Sequence, residues 1–242
     1  LQPMGARATA LDPMPPFLAP HVRAAIHFAD EGSVDNRRLG PALARAARGS
    51  GAHLHEGERI VRVLIAEGKI QGVETAARRL ACDVVVVASG AWSVVLDGLP
   101  GSVRPSVVPR KGQIMAVDSG GHAAFAGPLC AVQGFYAVPR ANGHVVVGAT
   151  MEDKSWETQT DAGAIRAMRE WLTDVVIGAD EWPVVETWTG LRPGTPDDLP
   201  ILGPSEIQGL HFATGQFRDG ILLTPWIADW VAAGIMAGQT PE

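Results

Sequence analysis

Arg192 and Arg218 each stand inside a run of glycines and prolines. The first run is Trp188-Thr-Gly-Leu-Arg-Pro-Gly-Thr-Pro-Asp-Asp198, the second Ala213-Thr-Gly-Gln-Phe-Arg-Asp-Gly-Ile-Leu-Leu-Thr-Pro225. A guanidinium held on so constrained a backbone presents a fixed planar fork of donors, the geometry that grips a carboxylate through two hydrogen bonds. The second run leads from a glycine turn into an apolar segment, and the pattern predicts a helix from Gly220 onward with Pro225 in its first turns. The first N–H groups of that helix would face an electron-rich ligand. Arg192 has a plainer alternative as the ion-pair partner of Asp197 or Asp198.

The elements that must carry these runs are legible as periods. Residues 1–32, rich in Pro and Ala, read as loop. Ser33 to Arg48 reads as a helix capped by Asp35 or Ser33, with Leu39, Leu43, Ala46 and Ala47 on one face. Short strands are predicted at His53 to Glu56, Ile60 to Ala66 and Lys69 to Thr75, the last two joined by a Glu-Gly turn. The valine run Asp83 to Ala88 reads as a strand buried on both faces, the kind that belongs to a parallel sheet whose carboxyl edge meets a ligand. Beyond Pro105 the segments Gly112 to Asp118, Gly134 to Pro139 and His144 to Thr150 read as an antiparallel sheet, with Asn142-Gly143 as a hairpin turn. A helix capped by Thr160 is predicted through Val176, turning Ile165, Met168, Leu172 and Val175 inward. Val184 to Leu191 and Leu210 to Thr214 complete the strands. The expected architecture is a mixed α/β one: a parallel-sheet part from residues near 33–98 and 200–242, with an antiparallel sheet and helix inserted between.

Bulk properties narrow the chemistry. The 242 residues are 46% hydrophobic and carry a formal net charge of −6, enough apolar content for one large or two modest domains. An acidic chain without a basic stripe argues against nucleic acid, so an anionic substrate must be held by local arginines. Cys82 and Cys130 match no metal or redox spacing, the usage of a reduced, cytoplasmic protein. No signal peptide is recognisable. The apolar stretch Gly220 to Ala237 contains Asp229 and reads as too short to span a bilayer comfortably. Gly49-Ser-Gly51 resembles a truncated dinucleotide fingerprint, yet it follows a helix and reads better as a helix cap and turn. His53 and His55 share a strand face without a carboxylate or cysteine to complete a metal site, and no metal is expected.

Five further segments, in order, accompany the arginine runs: Gly32-Ser-Val-Asp-Asn-Arg-Arg-Leu39, Val84-Val-Val-Val-Ala-Ser-Gly-Ala-Trp92, Pro109-Arg-Lys-Gly-Gln113, Phe135-Tyr-Ala-Val-Pro-Arg140 and Val147-Gly-Ala-Thr-Met151. Together they resemble the D-amino-acid oxidase superfamily of FAD-dependent amine oxidoreductases, and within it the glycine oxidases. The resemblance implies a Rossmann-like FAD-binding domain (33–98 and 200–242) and an inserted antiparallel substrate-binding domain (1–32 and 99–199). It implies Arg192 and Tyr136 as catalytic residues holding the substrate carboxylate, Arg218 as a second arginine near the substrate, and Met151 as a wall of the pocket. It places Val61 at the adenine end of the cofactor, and Gly90 with Gln216, Phe217, Arg218, Asp219, Gly220, Ile221 and Leu222 against the flavin.

The implied reaction is oxidative deamination of glycine or another small amino acid, with oxygen reduced to hydrogen peroxide. The implied setting is supply of an imino acid for the thiazole half of thiamine. Sarcosine-oxidase-like and D-amino-acid dehydrogenase activities are the alternatives, and a homo-oligomer is left open. Gln216 and Asp219 stand where the family usually has His and Asn. The sequence contains no Gly-x-Gly-x-x-Gly, the unit that holds the FAD pyrophosphate. The chain is therefore expected to lack that N-terminal segment, to bind FAD weakly by itself, or to be a non-catalytic remnant.

Overall fold

A computed structural model describes residues 7–121, 125–131, 134–153 and 156–237. The elements run β1 (Ala8–Ala10), β2 (Ile26–Phe28), α1 (Asn36–Gly49), β3 (Ile60–Ala66), β4 (Lys69–Thr75), β5 (Arg79–Ala81) and β6 (Val85–Val87). After a 3-10 turn at Gly90–Val95 come β7 (Val108–Asp118), β8 (Leu129–Cys130), β9 (Tyr136–Pro139), β10 (His144–Gly148) and β11 (Glu152–Asp153). Then follow α2 (Ala162–Val175), a second 3-10 turn at Ala179–Glu181, β12 (Val184–Gly194), β13 (Ile201–Pro204), β14 (Leu210–Thr214) and α3 (Gly220–Ala237). The fold is mixed α/β, as expected.

Contacts divide the chain into two compact units. The first is Leu1–Leu54, Gly112–Met151 and Thr158–Gly190; the second is His55–Lys111, Glu152–Glu157 and Leu191–Glu242. Two of the divisions fall inside β7 and β12.

The first unit is built on the antiparallel run β7-β10-β9-β8. Strand alternation turns Met115 and Val117 of β7 and Val145 and Val147 of β10 into one core, which α2 closes with Met168 and Leu172. Each fully buried side chain of this kind contributes about 1.5–3 kcal/mol. Ile165 and Val175 pack at the margin of that core, so the predicted inward face of α2 is the observed one. Its cap differs. Asp161, not Thr160, accepts the Ala164 N–H at 2.9 Å, while the Thr160 hydroxyl lies 3.2 Å from that of Thr187. A carboxylate one residue nearer the helix is the stronger acceptor, and it wins. The Asn142-Gly143 turn forms as predicted, Gly143 adopting φ +84°.

Helix α1 starts at Asp35, which accepts the Arg37 N–H at 3.1 Å. None of its residues is buried, so the apolar face read from Leu39 and Leu43 is not a core face among the described residues. The sequence grouped this helix with the parallel sheet; in the structure it belongs to the first unit. Arg37 forks onto Glu186 at 2.7 and 2.8 Å and stacks 4.1 Å from the Trp188 ring, and Arg140 donates to the Val34 carbonyl at 3.3 Å.

The second unit holds two three-stranded sheets. β3, β4 and β5 are antiparallel; β13, β14 and β6 form the other, with β14 parallel to β6. Val63, Ile70, Val87, Leu99, Leu210 and Phe212 make its core. The valine run is buried on one face only: Val87 is 2% exposed, whereas Val84 and Val86 are 40% and 39% exposed. The other face is the one on which Val86 borders a cavity, so it is not closed by core packing. His53 to Glu56 is not a strand; it lies in the loop and turn ahead of β3. Helix α3 buries Ile227, Val231 and Gly234. By length and composition alone its 18 residues would be long and apolar enough to cross a membrane, a test that the core helix of a soluble protein also passes.

Candidate functional site

The two arginine runs meet in the second unit through the backbone. β12 delivers Arg192, Pro193 and Gly194, and β14 ends at Thr214 before Gly215 turns with φ +78°. A β-carbon at Gly215 would stand 2.8 Å from Cγ2 of Thr195 and 3.2 Å from the Ile201 nitrogen, so only glycine lets the two runs approach this closely. Phe217, itself at φ +46°, donates its N–H to the Pro193 carbonyl at 3.1 Å. That bond joins the motif of Arg192 to that of Arg218.

Buried polar side chains brace the turns on either side. Ser93 Oγ donates to Thr214 Oγ1 at 2.9 Å, and Thr214 in turn donates to the Gly90 carbonyl at 3.1 Å. Both residues are fully buried. Thr195 donates to the Leu199 carbonyl at 2.8 Å, and Asp197 accepts the Leu199 N–H at 3.1 Å, closing the loop that follows Arg192.

Against these turns lies a cavity of about 640 Å3. Val86, Ala88, Pro193, Ala213, Gln216 and Phe217 form one wall; Gly220, Ile221 and the inner side chains of α3 form the other. It opens at the carboxyl ends of the parallel pair β6 and β14, where such sheets receive ligands. Gln216, Phe217, Gly220 and Ile221 of the expected cofactor set therefore share this cavity. Gly90, Arg192, Arg218, Asp219 and Leu222 are not among its walls, although Pro193 beside Arg192 is. Arg218 and Asp219 are exposed, and no ion pair joins them among the described residues. Val61 sits 38% exposed on β3. Tyr136 and Met151 belong to the first unit: Tyr136 is half-buried on β9 opposite Gly148, and Met151 is 47% exposed.

One residue at this site was not singled out by sequence reasoning. Arg110 on β7 crosses the strand face at Gly194, pairs with Asp153 and, at 3.9 Å, with Asp198, and lies 5.7 Å from the centre of the Phe217 ring. The only hint in the sequence is its place in Pro109-Arg-Lys-Gly-Gln113. Its neighbour Lys111, 3% exposed, faces Glu152 and Glu157 at 3.6 and 3.8 Å.

A mixed α/β chain that sets a paired-arginine turn and a helix start around an apolar cavity is built as flavin-dependent oxidoreductases are. The chain belongs to the FAD dependent oxidoreductase family, whose model matches residues 2–233. Glycine oxidase of Pseudomonas putida is 33% identical over 212 residues, covering 87% of this chain and 57% of the relative. The bifunctional protein ThiO/ThiG of Synechocystis is 35% identical over 201 residues, 81% of this chain and 29% of the relative. The structure of glycine oxidase from Bacillus cereus superposes with a TM-score of 0.91 at 29% identity, over 100% of this chain and 68% of that one. The chain thus spans between about three-tenths and six-tenths of the length of these two curated relatives.

The family's cofactor is FAD, and the cavity fits one end of it. Its walls are apolar, and at Gly215 and Phe217 positive φ angles bring the chain round beside them, a setting for a flat ring system. For the pyrophosphate no Gly-x-Gly-x-x-Gly is present in the sequence.

Proposed function

We propose that this chain takes part in FAD-dependent oxidative deamination of glycine or another small amino acid, giving the imino or oxo acid and hydrogen peroxide. What carries the reading is the Pro193–Phe217 hydrogen bond. It fixes the Arg192 and Arg218 turns to each other beside an apolar cavity whose walls include Pro193 and Phe217. In this reading Arg192 binds the substrate carboxylate, and family resemblance assigns Tyr136 the same role. Arg218 adds positive charge near the substrate, and Met151 shapes the pocket. Gly90 and Gln216 to Leu222 lie against the flavin, with Val61 toward its adenine end.

The α-hydrogen of an amine is not acidic, and bound FAD supplies the two-electron oxidation. The protein's share is orientation: a carboxylate fixed by a bidentate fork leaves the α-carbon one approach. The start of α3 stabilises negative charge beside it. A cytoplasmic setting and a link to thiazole formation for thiamine are part of the proposal, supported by the likeness to the ThiO/ThiG protein. The test is steady-state oxidation of glycine, sarcosine and D-alanine by the FAD-loaded protein, with peroxide and keto acid both measured. Turnover of glycine with equimolar peroxide is expected. Reduction of artificial acceptors without peroxide, or no amine oxidised, would overturn it.

A further inference from the structure

Arg110 and Gly194 form a contact to which the site described above assigns no role. Arg110 comes from β7, and only 23% of its side chain is exposed. It runs over Gly194 so closely that a β-carbon there would lie 2.6 Å from its Cγ and 2.9 Å from its Nε. Residues two apart on a strand point to the same face, so Arg110 packs on the face of β12 from which Arg192 projects. Its far end reaches both margins of the arginine site. Asp198, held at φ +59°, closes the loop after Arg192 and pairs with Arg110 at 3.9 Å. Phe217, under the guanidinium at 5.7 Å, donates its N–H to the Pro193 carbonyl. Asp153, facing Arg110 across the β7–β11 pair, anchors the guanidinium.

The placement carries a cost. Arg110 Nε is buried and has no hydrogen-bond partner among the described residues. A buried donor left unpaired is destabilising, a cost set against the ion pairs that the same guanidinium makes with Asp153 and Asp198.

We propose that Arg110 is a positioning residue for the carboxylate clamp: seated on Gly194, it fixes the Arg192–Asp198 loop and the Phe217 turn relative to each other. This rests on Arg192 being the clamp. A looser loop would leave Arg192 charged but misplaced, so ground-state and transition-state binding should weaken together while turnover is kept.

The test uses the FAD-loaded protein and five variants: Arg110→Met, Arg110→Lys, Gly194→Ala, the combination of Arg110→Met with Gly194→Ala, and Arg192→Lys as the reference. Glycine KM and kcat are measured, with benzoate affinity followed by the flavin absorbance change. Arg110→Met should raise KM and benzoate Kd by a common factor of roughly fivefold, the scale of a coupled contact, with kcat changed less than twofold. Gly194→Ala should do the same by evicting Arg110, and the double variant should be no worse than either single one. Arg110→Lys, which keeps the charge opposite Asp153, should recover part of the affinity; should Arg110→Met not fold, Gly194→Ala carries the test. Unchanged benzoate affinity in Arg110→Met while Arg192→Lys weakens it would overturn this inference alone. Multiplied effects in the double variant would overturn it equally. Unchanged affinity in Arg192→Lys would instead overturn the clamp.

Discussion

The ring of Tyr136 lies across Gly148 on the adjoining strand, so closely that a β-carbon at Gly148 would stand 2.8 Å from the tyrosine hydroxyl. The glycine is therefore what allows the hydroxyl its position. Gly148→Ala should force the ring aside and cost roughly 1–3 kcal/mol of stability, the usual penalty for an added methyl in a packed site. Urea denaturation measures this. If the hydroxyl reads the substrate carboxylate, the variant should also bind benzoate less well. Tyr136→Phe should then lose about 0.5–1.5 kcal/mol of binding with turnover largely kept. Unchanged benzoate affinity in Tyr136→Phe would leave Tyr136 as a strand aromatic only.

Arg192→Lys should be far from conservative. A lysine is a point charge and does not reproduce the planar fork. Losing a charge-assisted bond to a carboxylate costs about 1.5–3 kcal/mol, roughly ten- to a hundredfold in kcat/KM. Kinetics near those of the unmodified protein would move the clamp elsewhere.

The Glu58–Arg78 pair gives the second unit an acid-dependent contribution. Glu58 accepts from Arg78 at 2.8 and 2.7 Å and from the Thr75 hydroxyl at 3.0 Å. Above all, hydrogen bonding to the Arg78 guanidinium lowers its carboxyl from the ordinary 4.5 to about 2. A pKa depressed by folding means that the unfolded chain binds the proton first. The contribution is thus complete above about pH 4.5 and fades as the pH falls toward about 2. Glu58→Gln should be less stable than the parent at pH 6, and the gap should close on acidification. A gap that stays constant across chemical denaturation at pH 6, 4 and 2.5 would refute the assignment.

Periodicity was most informative where one element decides its own structure. Ile60–Ala66, Lys69–Thr75 and Leu210–Thr214 are strands at the expected residues, and Met168 and Leu172 face the expected core. It was least informative where burial depends on what packs alongside. Nothing within the valine run distinguishes a strand covered on both faces from this one, in which Val84 and Val86 remain exposed. His53 to Glu56 alternates like a strand but has no partner ladder among the described residues. At the site, the arginine turns and the start of α3 were legible because glycine, proline and arginine are all local signals. Arg110 was not, since its importance comes from meeting Gly194, 84 positions later in the chain, a contact no local pattern encodes.

The Ser93–Thr214 pair offers a test of how the cofactor-side turns are braced. Thr214 Oγ1 accepts from Ser93 and donates to the Gly90 carbonyl, so a single hydroxyl ties the end of β14 to the turn that follows β6. Thr214→Val keeps the volume but strands the Ser93 hydroxyl in a fully buried place, which should cost about 1–3 kcal/mol. Ser93→Ala removes one donor and leaves the bond to Gly90, so its cost should be smaller, about 0.5–1.5 kcal/mol. In the double variant the stranded hydroxyl is gone, and the total should fall short of the sum by roughly 0.5–1 kcal/mol. Urea midpoints of the four proteins give the coupling directly. Strict additivity would mean that the two hydroxyls are satisfied separately and that Gly90 is held in place by something else.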